Sequence, residues 1–139
     1  YLEKATAKAL DVLTRTSKKD GFFLMIEAGK LDYAAHEQDA VTTFLEVNEF
    51  AAAVDLALEF AKQHPDETLI VVTSDHETGG MTIMDGSYAD STVVAQFNTG
   101  GHTGTMVPIY SYGPQCAKFI GIMENTDIPF RIKTYLGLK

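Results

Sequence analysis

With 139 residues, 45% hydrophobic and 22% charged, the chain has ordinary globular composition and enough length for one domain with a real core. A formal net charge of −8 excludes nucleic-acid backbones and anionic membrane surfaces as partners, and it opposes a phosphate ligand unless bound cations reverse the local sign. No apolar run approaches the roughly 20 residues of a membrane span. Cys116 is the lone cysteine and cannot close an internal disulfide, so it reads as a small hydrophobe. The first residue is Tyr1, inside a helical pattern, which suggests a processed or truncated start; the lack of a leader therefore says little about compartment.

Tyr1 to Ser17 reads as an amphipathic helix, closed by Lys18-Lys19-Asp20-Gly21. Phe22 to Ile26 is a continuous apolar run of strand length that ends on Glu27. From Leu31 the pattern turns helical, and Asp32 and His36 stand four residues apart on one helix face. A longer helix follows from Val41 to Gln63. Thr68 to Val72 is a second buried run, bounded by Pro65-Asp66-Glu67 and Gly79-Gly80, with Asp75 and His76 at its carboxyl end. Together the two runs and the helices between them predict a right-handed βαβ unit in a parallel sheet, where ligand sites lie beyond the carboxyl ends of the strands.

After Gly80 come a short run, Met81 to Met84, and a stretch, Ser91 to Phe97, that fits either strand or helix. Asn98 to Gly104 is a Gly-rich loop with His102 in its centre. Val107 to Tyr112 predicts an edge strand because of Pro108. Two short helical pieces, Ala117 to Met123 and Pro129 to Leu136, complete the chain.

Glu27, Asp32, His36, Asp75, His76 and His102 thus fall at strand ends or just beyond them. Mixed His and carboxylate donors without cysteine suit a catalytic zinc, while Glu27 is a harder ligand suited to magnesium. Blander roles compete one by one. Asp32 and His36 make an ordinary helical pair, Asp75 a helix N-cap, Glu27 a partner for Lys30, and His102 a loop residue. His64, before Pro65, reads as a solvent-facing helix end. The convergence of all six favours metal.

Three stretches carry a family resemblance: GFFLMIEAGKLDYAAH (Gly21 to His36), TLIVVTSDHETGGMT (Thr68 to Thr82) and TGGHTG (Thr99 to Gly104), the last followed by VPIYSYGP. In that order they resemble the C-terminal part of alkaline phosphatase, bacterial branch. The resemblance implies a partial α/β three-layer sandwich, with a mostly parallel sheet and helices on both faces, as a single domain over 1–139. It implies a first zinc on Asp32, His36 and His102, a second on Asp75 and His76, and a magnesium touched by Glu27. Tyr33, next to Asp32, would tune phosphate contact. It further implies hydrolysis of phosphate monoesters, a homodimer of the full-length protein, and a periplasmic or extracellular location.

The family's nucleophilic Ser or Thr follows an Asp in a signature of the type Asp-Ser-x-x-x-x-Thr, which this sequence lacks; the Asp shared by the second zinc and magnesium goes with it. A fragment holding most metal ligands but no nucleophile, inactive alone, is the expectation. The alternatives are a cofactor-independent phosphoglycerate mutase or a sulfatase from the wider group, and a non-catalytic metal-binding module. DHETGGMT with TGGHTG favours the phosphatase over the first pair.

Overall fold

A computed structural model describes residues 1–138. They form two compact units, one of Tyr1–Ala57 with Glu77–Gly104, the other of Leu58–His76 with Thr105 onward.

In the first unit, helix α1 spans Leu2–Thr16, with Glu3 in its first turn and Arg15 in its last, both matched to the helix dipole. Asp11 is bracketed one turn either way by Lys8 (3.2 Å) and Arg15 (3.0 Å), and these two cations hold its carboxyl below the usual range. Gly21, at φ +70, ends the region in a conformation that L side chains rarely adopt. Helix α2 is short, Lys30–His36, and buries Ala34 and Ala35. Helix α3, Ala40–Gln63, whose residues to Ala57 belong to this unit, opens on Asp39, whose side chain accepts the Thr42 N–H at 3.1 Å and the Thr42 hydroxyl at 2.5 Å. This is an N-cap that satisfies one of the donors a helix start leaves open.

Strand β2 (Glu77–Thr78) pairs antiparallel with β5 (His102–Thr103), and β3 (Thr82–Ser87) with β4 (Thr92–Gln96). The β3–β4 hairpin carries a register shift between Ile83 and Asp85. Ser91 to Phe97, open between strand and helix on sequence, is therefore a strand. The short hairpin has no periodicity long enough to announce it.

In the second unit, β1 (Ile70–Val72) pairs antiparallel with β6 (Tyr110–Tyr112), Val71 opposite Ser111. Pro108, which cannot donate to a ladder, stays outside β6, and its carbonyl accepts the Thr73 hydroxyl at 3.1 Å. Phe119 is the buried anchor of a 3-10 turn, Cys116–Phe119, shorter than the helical piece expected from Ala117 to Met123. Helix α4 covers Asp127–Tyr135. Cys116 is half-buried and free.

Three helices, then six short strands, then a last helix follow one another along the described residues, and the strand pairing differs from the sequence reading. All three ladders among the described residues are antiparallel. The run Phe22 to Ile26 joins none of them, so the expected βαβ unit is not among these ladders. It is extended and alternates, with Phe22, Leu24 and Ile26 half-buried while Phe23 and Met25 are 60% and 75% exposed. A strand buried on both faces needs neighbours at both edges and covering layers. The apolar run has the composition for that place but takes part in none of the three ladders among the described residues.

Candidate metal centre

Helix α2 presents Asp32 and His36 one turn apart, with Asp32 Oδ2 3.4 Å from His36 Nε2. Across from them, His102 Nε2 lies 3.1 Å from His36 Nε2 and 3.7 Å from Asp32 Oδ1. The rings of His36 and His102 are tilted by 37°, with centroids 4.9 Å apart. The Asp32 carboxylate and two imidazole nitrogens, from residues that include His36 and His102 at 66 positions apart, thus converge on one small volume in the first unit.

The backbone explains how. Gly79 donates its N–H to the Gly101 carbonyl (2.9 Å), and its own carbonyl accepts from Asn98 N (2.9 Å) and Thr99 N (3.1 Å). This latch fastens the Gly-rich loop to the turn after β2. A Cβ on Gly79 would sit 3.0 Å from the Ala35 carbonyl of α2, so the absence of a side chain lets the turn approach the helix. In the two-residue β2–β5 ladder, His102 faces Thr78 and Thr103 faces Glu77. The Thr78 hydroxyl donates to Asp32 Oδ1 at 2.6 Å. Glu77 accepts from Gly80 N (2.9 Å) and from the Thr103 hydroxyl through a short bond.

The spacing fits a zinc ion. With Zn–N of about 2.0–2.1 Å, ligand atoms at the corners of a tetrahedron stand about 3.3 Å apart. The 3.1 Å between the two Nε2 atoms and the 3.4 Å from His36 Nε2 to Asp32 Oδ2 bracket that edge, while His102 Nε2 has the other oxygen, Oδ1, at 3.7 Å. The tautomer fits too. His36 Nδ1 lies 2.7 Å from the Gly100 carbonyl, which can only accept, so Nδ1 carries the proton and the Nε2 lone pair points at the cluster.

In the second unit Asp75 and His76 close β1, with Asp75 Oδ2 3.3 Å from His76 Nε2. The same carboxylate accepts the His76 N–H at 3.1 Å, and the Ser74 hydroxyl donates to the His76 carbonyl at 2.7 Å. Glu27 is exposed, and its carboxylate folds back toward Gly29. Tyr33 is exposed. His64 ends α3 and stacks on Phe60 at 4.5 Å between centroids. Thr78, Glu77 and the Gly100 carbonyl escape sequence reasoning, because a lone Thr or Gly carries no periodic signal and its partner is distant in the chain.

Comparisons with known proteins agree on one family. The alkaline phosphatase family model matches residues 1–96. Alkaline phosphatase 4 of Bacillus subtilis (strain 168) is 31% identical over 193 aligned residues, covering 91% of this chain and 41% of that protein. The alkaline phosphatase of Escherichia coli (strain K12) is 30% identical over 154, covering 99% of this chain and 32% of that one. The solved alkaline phosphatase from the Antarctic bacterium TAB5 superposes with a TM-score of 0.88 at 37% identity, over 100% of this chain and 41% of that one. A mutant of the TAB5 enzyme with magnesium bound in its M3 site gives 0.87 at 36%, over 100% and 42%. The chain thus spans 32% to 42% of the length of these relatives. Its fold is part of theirs, and the chain belongs to the alkaline phosphatase family.

Proposed function

We propose that this chain is the metal-ligating part of a phosphomonoesterase. Asp32, His36 and His102 hold a first zinc, Asp75 and His76 a second, and Glu27 contributes to a magnesium. When bound, the cations supply Lewis acidity toward phosphoryl oxygens and a water that ionises near neutral pH. What supports the reading is the first triad: two imidazole nitrogens 3.1 Å apart, each within 3.4 or 3.7 Å of an Asp32 carboxylate oxygen, with the His36 tautomer set by the Gly100 carbonyl.

The residues have separate tasks. One carboxylate with two neutral imidazoles leaves a divalent ion with net positive charge, which offsets the −8 of the chain where a phosphate would arrive. His36 keeps its proton at Nδ1 on the Gly100 carbonyl and so serves as ligand, not as proton shuttle. Three protein donors leave a fourth position for water or substrate. The substrates are small phosphate monoesters, with no role for nucleic acid or membrane, and no helix among the described residues is long and apolar enough to cross a membrane. The full-length protein works as a homodimer in the periplasm or outside the cell.

The sequence has no Asp-Ser-x-x-x-x-Thr signature, so the 139 residues alone bind zinc without turning over ester. Zinc titration of the chain, run beside an assay with a chromogenic phosphomonoester, tests both halves. Binding that is lost in His102→Ala, with no turnover, is expected. Failure to bind zinc would refute the metal reading, and zinc-dependent turnover lost in His102→Ala would refute the fragment reading.

A further inference from the structure

We propose that Thr78 is a positioning residue of the first zinc site, setting the plane of the Asp32 carboxylate. The inference rests on the zinc reading above. The Thr78 hydroxyl donates at 2.6 Å to Asp32 Oδ1, the oxygen 3.7 Å from His102 Nε2, while Asp32 Oδ2 lies 3.4 Å from His36 Nε2. The last torsion of an Asp side chain is broad, so an untethered carboxylate samples many orientations. Spending one Oδ1 lone pair on a fixed donor removes that freedom before any ion arrives.

The donor is itself fixed. Thr78 lies directly opposite His102 in the β2–β5 ladder, and opposite residues of an antiparallel pair project from the same face. A single register therefore delivers both the ligand and the group that orients its neighbour. On the other face Glu77 faces Thr103 and bonds its hydroxyl, while also capping Gly80 N at 2.9 Å. A slip of one residue would exchange the two faces, so this clamp holds the register that the site requires. The branched Thr side chain is stiff at its first torsion, which aims the hydroxyl once the strand is set. A neutral hydroxyl also orients Asp32 without adding charge, so the carboxylate keeps its full value as an anionic ligand.

Zinc affinity by competition, together with the visible spectrum of bound cobalt(II) as a geometric probe, tests the role in Thr78→Val and Thr78→Ser. Thr78→Val should weaken zinc about 10–100-fold, as loss of an orienting partner does, and should alter the cobalt bands. Thr78→Ser keeps the donor and should stay within a few-fold of the native chain. A Thr78→Val chain with native affinity and native cobalt bands overturns the proposal. So does a Thr78→Ser chain that loses as much as Thr78→Val, since the hydroxyl would then not be the agent. If the native chain itself binds no zinc, the parent reading fails and takes this one with it; native binding with an indifferent Thr78→Val sinks only the positioning role.

Discussion

Gly79→Ala tests how the fold builds the site. Gly79 sits at φ +87, in the left-handed region, where a side chain costs about 1–2 kcal/mol. The new Cβ would lie 2.7 Å from Phe97 Cδ1 and 3.0 Å from the Ala35 carbonyl, both inside contact distance. The Phe ring can swing, but the carbonyl belongs to α2, so the turn or the helix must move. Forced overpacking of this kind costs about 1–3 kcal/mol. The sum, about 2–5 kcal/mol, corresponds to a fall in melting temperature on the order of 10 °C for a chain of this size. The same displacement pulls on the bonds from Gly79 to Asn98, Thr99 and Gly101, and hence on His102. Thermal melts with and without zinc should therefore show a lower transition and a smaller gain from the metal. A variant that melts like the native chain and gains as much from zinc would refute the latch.

Two further outcomes follow from the two units. Phe119→Ala removes the buried aromatic of the second unit, 2% exposed, and should cost about 3–5 kcal/mol in denaturant unfolding; a loss below about 1 kcal/mol would show that the site collapses around the gap. The Thr42 hydroxyl, then the Thr42 amide, hold the Asp39 carboxyl below its ordinary value. A lowered folded-state value means that this stabilisation is present above the unfolded carboxyl's range and is lost as pH falls through the folded one. Asp39→Asn, an equally good cap without a charge, should thus flatten the acid limb of a melting-temperature profile, whereas Asp39→Ala should lower the profile at neutral pH as well. Identical acid limbs in the native chain and Asp39→Asn would contradict the assignment.

Local features of the site were legible in the sequence and long-range ones were not. The spacing of Asp32 and His36 placed both on one face of α2, because four residues are one helical turn. Likewise Asp75 and His76 were readable as the end of an apolar run, since β1 stops at Val72. His102 had only its glycines to mark it; what brings it to α2 is the Gly79 latch and a two-residue ladder, neither of which has a period. Thr78 was invisible for the same reason. Phe22 to Ile26 misled in the opposite direction, since composition reports what a segment could bury and not which neighbours are there to pair with it.

If Asp32, His36 and His102 hold a zinc ion, X-ray absorption at the zinc edge of the metal-loaded chain will detect their imidazoles. Imidazole nitrogen scattering is expected at about 2.0–2.1 Å with the outer-shell pattern of histidine, diminished by one ring in His36→Ala and in His102→Ala. Zinc surrounded by oxygen alone, or a histidine signal unchanged by both substitutions, would contradict it.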